Sequence, residues 1–357
     1  MSEKKNILDL NLEELKEFFI SIKEKEYRVE QVFKWIYQGV TSFDEMSNIP
    51  KELRNILNDN FSISKLTIFK KYVSKVDYTK KYLYQLIDGN IIETVFMKYK
   101  HGNSICISSQ VGCKMMCKFC ASSHLGFARN LTSGEMMDQI LATIKDTGEN
   151  INNVVVMGIG EPFDNYNNLI KFLKNLNSKT GLNIGYRHIS ISTCGLVDKI
   201  YDFLKEELPV TLSISLHSAD NQIRKKIMPI TIEYSIDKLI EACKIYTKTL
   251  KRRITFEYIL IDGLNDSKKD AFKLVKLIKG LLCHVNLIPV NDSSDLNIKR
   301  SNKININKFR NILLESGIET TIRRELGSDI EAACGQLRRS SLNKYKTGDI
   351  IFPLNEL

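Results

Sequence analysis

Three cysteines, Cys113, Cys117 and Cys120, crowd into one stretch of a chain that has eight. The Cys-x-x-x-Cys-x-x-Cys spacing puts three thiols on a single loop, and thiolates are ligands for both structural zinc and iron–sulfur clusters. A closed zinc site takes four donors, commonly from two paired Cys-x-x-Cys halves. The sequence has no second pair, so Cys106 or His124 would have to complete such a site. A cubane cluster takes one thiolate per iron, so three cysteines leave one iron open to a substrate or cofactor. The spacing favours that open-iron cluster, with zinc as the lesser alternative. Cys194, Cys243 and Cys283 match no motif and read as small buried hydrophobes. Cys106 could be a core residue of a strand, and Cys334, in Ala332-Ala333-Cys334-Gly335, would by itself read the same way.

Other residues able to do chemistry follow apolar runs. Gly158-Ile159-Gly160-Glu161-Pro162 comes after Val154–Met157, and Ser192-Thr193 ends His188–Thr193. Ser215-Leu216-His217 stands at the end of Val210–Leu216, and Asn291 follows His284–Pro289. With Ile105–Ser108, Ile254–Leu260 and Glu319–Arg323, these runs alternate with helical patterns, which implies βαβ crossovers and a parallel sheet. About six such units are too few for a closed eight-fold barrel, so the expected fold is α/β, a partial (β/α)6 barrel. In a parallel barrel the carboxyl ends of the strands carry the chemistry, so the cysteine loop and these polar residues would gather at one mouth. The Gly-Ile-Gly turn is no dinucleotide fingerprint, because Phe163 stands where the last glycine would be.

The elements upstream are of another kind. Asn11 caps a segment with Leu12, Leu15, Phe19 and Ile22 on one face; a second helix carries Val29, Val32, Phe33 and Ile36 and stops near Gly39. Ile49-Pro50 starts a third. The basic, tyrosine-rich stretch from Lys70 to Tyr82 reads as a solvated strand face. Tyr82–Ile87 and Ile91–Met97, joined by Asp88-Gly89-Asn90, read as a β-hairpin, in which spacing alone turns Glu93 toward solvent. The expected division is a helical accessory domain over residues 1–65, a β-hairpin extension over 66–103, the partial barrel with a carboxyl-terminal cysteine loop over 104–340, and a tail over 341–357.

Lys and Arg total 52 against 42 Asp and Glu, a formal net charge of +10 that suits a polyanionic partner such as RNA or DNA. Hydrophobic residues make up 43%, enough to bury a core, which excludes a disordered chain. No apolar run reaches the roughly 18 residues of a membrane span, and the charged amino terminus lacks a signal-peptide core. No membrane attachment and a cytoplasmic location are therefore expected, where cysteines do not form a structural disulfide framework.

Cys113-Lys114-Met115-Met116-Cys117-Lys118-Phe119-Cys120 resembles the signature of radical S-adenosylmethionine enzymes, and the Gly158–Pro162 turn resembles their second motif. The flanks narrow this. Cys106-Ile107-Ser108-Ser109-Gln110-Val111-Gly112, Gly126-Phe127-Ala128-Arg129-Asn130-Leu131-Thr132 and the tail from Gly327 to Leu337 are similar to the RNA adenine methyltransferases of the RlmN/Cfr family. The likeness runs from the helical module to about Leu337, with one departure: the family often has Ala-Thr-Gly where this chain has Ala121-Ser122-Ser123. It implies a [4Fe–4S] cluster on Cys113, Cys117 and Cys120, whose open iron binds S-adenosylmethionine, with two molecules of that cofactor used per turnover. It implies that Gly160, Glu161, Ser192, Ser215, Leu216, His217 and Asn291 hold S-adenosylmethionine. It further implies that Cys334 accepts a methyl group and that the methylated sulfur is converted to a carbon radical that adds to adenine, giving a covalent protein–RNA adduct. Glu93 would accept the ring proton, and Cys106 would release product through a transient disulfide with Cys334.

The substrates so implied are 23S rRNA and tRNA, with an electron donor such as flavodoxin and a monomeric enzyme. Pro162, Arg324-Glu325-Leu326-Gly327 and the helical module favour the family's C2-methylating branch over the C8-methylating branch, which confers antibiotic resistance. Lys251-Arg252-Arg253, Lys299-Arg300, Arg323-Arg324 and Arg338-Arg339 are candidate phosphate contacts, though each alone reads as a solvated face. A non-catalytic iron–sulfur RNA-binding protein, which would need the cluster but not Cys334, is the remaining alternative.

Overall fold

A computed structural model describes residues 4–63, 66–100, 102–290, 298–330 and 332. Three helices open it: α1 (Leu12–Ser21), α2 (Tyr27–Tyr37) and α3 (Lys51–Asn60). Asn11 starts α1 in a reciprocal capping box: its side chain accepts from Glu14 N–H, and the Glu14 carboxylate accepts from Asn11 N–H, both at 2.8 Å. Pro50 precedes α3, where its fixed φ suits the turn into a helix. Two-residue strands β1 (Lys5–Asn6) and β2 (Phe61–Ser62) pair in parallel and join the two ends of this module. Its apolar face is not self-contained. Phe19, Phe33 and Leu57 belong to the same buried cluster as Ile140, Leu173 and Phe203 further along the chain. Asp9 Oδ1 also accepts from Gly134 N–H at 2.8 Å, and Lys171 pairs with Glu14 at 2.7 Å.

Next come β3 (Thr67–Val73), β4 (Lys80–Gln85), β5 (Ile91–Tyr99) and β6 (Gly102–Cys106), followed by the short pair β7 (Gln110–Gly112) and β8 (Phe127–Asn130). The chain then alternates: α4 (Ser133–Thr147), β9 (Asn153–Val156), α5 (Tyr166–Leu176), β10 (Ile189–Thr193), α6 (Val197–Lys205) and β11 (Thr211–Ser215). It continues with α7 (Asn221–Ile227), α8 (Ile236–Leu250), β12 (Ile254–Leu260), α9 (Lys268–Ile278), β13 (Cys283–Pro289), α10 (Lys303–Glu315) and β14 (Thr320–Ile322). Ten strands make one sheet in the order β14-β13-β12-β11-β10-β9-β6-β5-β4-β3. From β6 to β14 the pairing is parallel, each step crossing over through a helix. This is the expected partial barrel, six β/α units closed off by a further strand.

The hairpin extension differs in extent. β3, β4 and β5 run antiparallel and continue the barrel sheet past β6, so the extension is a three-stranded edge rather than a two-stranded hairpin. The basic, tyrosine-rich stretch divides between two strands. β3 is exposed along most of its length, as expected, whereas Tyr82 and Tyr84 of β4 are buried against α4, and Lys81, on the other face of the strand, is buried with its Nζ over the Tyr72 ring. No described helix is long and apolar enough to cross a membrane.

Candidate active site

β7 and β8 pair antiparallel and close the neck of loop 113–126, which carries the three clustered cysteines. At the neck Cys113 N–H donates to Gly126 O at 3.0 Å. Gly112 permits that closure: its φ is +81°, and a Cβ there would lie 1.9 Å from Gly126 O. Further round the loop, Cys120 N–H donates to Cys117 O at 3.1 Å and Lys118 N–H to Ile227 O at 3.0 Å. Phe119 meets His217 edge to face, with ring centroids 4.7 Å apart. The loop is thus pinned to the end of α7 and to the turn after β11.

Cys113 and Cys117 are buried and Cys120 is half-buried. Burial pushes the Cys113 thiol up to about 12 and the Cys117 thiol well above its usual value, and Cys120 adds to both. Thiols in electrostatic reach of one another keep their protons until a cation compensates, and metal binding supplies that compensation. The donor set fits an iron–sulfur cluster: three thiols from one loop, two of which, Cys117 and Cys120, pack in an apolar cluster with Met115, Phe119, Ile227 and Met228.

After β9 the chain turns back on the residues that follow β6. Gly160 has φ +110°, and a Cβ there would stand 2.6 Å from Gln110 Cβ, so the turn settles on Gln110 only as glycine. Gln110 Oε1 accepts from Glu161 N–H at 2.8 Å, while its Nε2 donates to Asn130 and Asp164 at 2.8 and 2.7 Å. The buried Glu161 carboxylate accepts from Phe163 N–H at 3.0 Å and from Cys194 N–H at 2.7 Å. Burial raises its pKa, and these backbone bonds act against the rise. The Thr193 and Cys194 side chains hydrogen-bond the same carboxylate and also favour its charged form.

Cys194 contributes through its peptide, a role its side chain gave no hint of. Its N–H donates to Glu161 and its carbonyl accepts from Arg224 Nη2, both at 2.7 Å, so the backbone of one residue links a buried carboxylate and a buried guanidinium. Arg224 was not legible either. In Arg224-Lys225-Lys226 nothing local marks which cation points inward, and only packing turns Arg224 and Ile227 to the buried side of α7.

Ser192 and Ser215 stand at the ends of β10 and β11 with their hydroxyls 3.5 Å apart. Leu216 is buried and its carbonyl accepts from Arg224 Nε at 3.0 Å. His217 adopts φ +56°, and its Nδ1 accepts from Ile259 N–H at 3.1 Å, so the ring is neutral with its proton on Nε2. Burial, and then the Arg224 charge, lower its pKa to about 3. The folded value lies below the unfolded value of about 6.5, so the stabilisation is complete above that pH and is lost as pH falls toward the folded value. Denaturant unfolding should therefore show lower stability at pH 5 than at pH 7. In His217→Asn, which keeps an acceptor but cannot titrate, that difference should shrink; an unchanged difference would remove His217 as its source.

Beside Ser215 runs a polar row that the sequence reading missed. Ser215 is in register with Glu257, Glu257 with Asn286, and Asn286 with Thr321. Asn286 Nδ2 donates to Glu257 at 2.8 Å, and Thr321 Oγ1 donates to Asn286 Oδ1 at 3.2 Å. The available signal was the polar alternation Ser213, Ser215 and Thr255, Glu257 inside strands that parallel sheets usually fill with apolar residues. Asn291 lies outside the described residues.

Cys106 is the last residue of β6, half-buried, and packs with Val95, Met97, Ile159, Ile330 and Ala332. Glu93 corrects the expectation from spacing: it is 0% exposed, because both faces of the first six residues of β5 are covered and the strand has no solvent side there. Its carbonyl accepts from Ser108 Oγ at 2.6 Å. The turn at residues 74–79 grips the segment after β14: Gly327 N–H donates to Asp77 and Lys75 N–H donates to Asp329, both at 2.9 Å. This clasp sets Ala332 beside Cys106, two residues before Cys334 in sequence. Cys334 itself lies outside the described residues.

Comparison with known proteins shows the family. The ribosomal RNA large subunit methyltransferase N-terminal domain family matches residues 5–63, and the radical SAM superfamily matches residues 107–275. The chain is 55% identical over 334 residues to a probable dual-specificity RNA methyltransferase RlmN of Clostridium tetani (strain Massachusetts / E88), covering 94% of this chain and 96% of that one. It is 56% identical over 340 residues to the protein of the same description from Clostridium botulinum (strain Okra / Type B1), covering 95% and 99%. A crystal structure of a radical SAM methyltransferase from Sphaerobacter thermophilus superimposes with a TM-score of 0.89 at 41% identity, over 94% of this chain and 99% of that one. With near full-length identity at this level, and a three-cysteine loop set at the mouth of a partial barrel, the chain belongs to the RlmN family of radical S-adenosylmethionine methyltransferases.

Proposed function

We propose that this protein methylates C2 of an adenosine in 23S rRNA and in tRNA. The observation that carries the reading is the near full-length identity to dual-specificity RNA methyltransferases, combined with a cysteine loop pinned to Ile227 and His217 within electrostatic reach of Glu161. When bound, a [4Fe–4S] cluster and S-adenosylmethionine supply a methyl group and a 5′-deoxyadenosyl radical. Cys113, Cys117 and Cys120 would hold that cluster, and two molecules of S-adenosylmethionine would be used per turnover, with electrons from a donor such as flavodoxin.

The protein's own residues do the rest. The Glu161 carboxylate faces the cofactor's amino group as its acceptor, and Gly160, Ser192, Ser215, Leu216, His217 and Asn291 complete its cradle. Cys334 is the nucleophile that takes a methyl group and then carries the target base. The enclosed carboxyl of Glu93 receives the ring proton, and Cys106 attacks Cys334 to free the product. The target base must leave its stack to reach this mouth, which costs a few kcal/mol and favours loops over paired stems. The helical accessory domain over residues 1–65 and the basic β3 edge are the elements we assign to holding the RNA.

Nucleoside mass spectrometry tests the reading. rRNA and tRNA incubated anaerobically with reconstituted protein, S-adenosylmethionine and a reductant should yield 2-methyladenosine in both. 8-Methyladenosine in place of it would move the protein to the C8 branch. Cleavage of S-adenosylmethionine without either product would refute the assigned substrate.

A further inference from the structure

Arg224 is 0% exposed, and its guanidinium makes four hydrogen bonds, every one to an uncharged oxygen. Nε donates to Leu216 O at 3.0 Å and Nη1 to Thr231 Oγ1 at 2.9 Å. Nη2 donates to Cys194 O at 2.7 Å and to Ser215 O at 3.1 Å. Among the described residues no carboxylate hydrogen-bonds it, and the ionisable groups in its electrostatic reach are the protonated thiols of Cys194, Cys117 and Cys243 and the neutral ring of His217. Carbonyl dipoles offset part of the cost of burying a cation, but an unpaired buried charge still carries a penalty of several kcal/mol. A fold that keeps such a charge at a mouth has a use for it when an anion arrives.

The anion is at hand. One turn beyond Arg224, Ile227 O accepts from Lys118 N–H at 3.0 Å, inside the Cys117–Cys120 segment. Cys117, Cys194, Ile227 and Met228 share one apolar cluster, where a low dielectric strengthens attraction between charges. Three thiolates holding a [4Fe–4S] cluster leave it net negative, and one added electron makes it more so. We propose that Arg224 is the resident counter-charge of the cluster, a positioning residue that favours its one-electron reduction. The electron comes from a low-potential donor, no bond is made or broken, and the guanidinium stays protonated throughout. The inference rests on Cys113, Cys117 and Cys120 being the ligands.

The test is a redox titration of the reconstituted protein followed by electron paramagnetic resonance, without S-adenosylmethionine or RNA. Arg224→Gln should keep its iron and acid-labile sulfide, while its reduction equilibrium falls about tenfold, which for a one-electron couple is about 59 mV more negative. Arg224→Lys keeps a charge and should stay within threefold of wild type. A wild-type potential in Arg224→Gln overturns the proposal. Should that variant not fold, Arg224→Lys decides: a tenfold fall there shows that geometry, not charge, matters, and overturns it too. Wild-type protein that binds metal without acid-labile sulfide would defeat the cluster reading itself, whereas a cluster whose potential ignores residue 224 defeats only the role of Arg224.

Discussion

Cys106→Ala is expected to leave the protein covalently joined to its RNA. Cys106 stands at the end of β6 in contact with the apolar cluster that includes Ala332, and Ala332 is two residues from Cys334. In the proposed reaction the Cys106 thiol attacks a sulfur on Cys334, and disulfide formation releases whatever that sulfur carries. Alanine keeps a small apolar side chain against the cluster of Val95, Ile159 and Ala332 but removes the attacking atom. The adduct on Cys334 should then accumulate to one equivalent, with turnover stopping there. A denaturing gel before and after ribonuclease treatment, with mass spectrometry of the Cys334 peptide, reads it. Free, fully methylated RNA from this variant would take Cys106 out of the reaction, and an adduct on another residue would take Cys334 out.

Gly112→Ala should cost the protein its cluster. A left-handed φ is unfavourable for alanine by roughly 1–2 kcal/mol on its own account. Here a clash is added, since the new Cβ would lie 1.9 Å from Gly126 O and 2.9 Å from the Gly126 carbonyl carbon. Both are backbone atoms, so no side chain can swing away; β7 and β8 must part, and with them the neck that sets Cys113 against the rest of the loop. Gly89→Ala is the control. Its φ is +82°, nearly the same, but nothing lies within 4 Å of the added Cβ. Iron and acid-labile sulfide should be largely lost from Gly112→Ala and retained in Gly89→Ala. Equal loss in both would mean that backbone strain, not closure of the neck, is responsible, and full retention in Gly112→Ala would show that the loop does not need this neck.

Much of this molecule is written locally. The capping box at Asn11, the turn at Asp88-Gly89-Asn90, the six β/α alternations and the three-cysteine spacing are all short-range patterns, set by periodicity, turn chemistry or ligand count within a few residues. They sufficed for the fold class and for placing the cysteine loop, Glu161, Ser215 and His217 at one end of the sheet. Long-range pairing decided the rest. Whether β5 has a solvent side depends on what covers both its faces, and burial of Glu93 follows from that rather than from alternation along the strand. The inward turn of Arg224 out of a run of three cations, the backbone of Cys194 strung between Glu161 and Arg224, and the Asp77 and Asp329 clasp join residues from 30 to 254 positions apart. A cation's spacing along a helix carries no record of such partners. Chain order determined which chemical groups this protein owns, because those are covalent. Tertiary packing alone decided which charges were taken out of water and left to face one another, because desolvation depends on every neighbour at once.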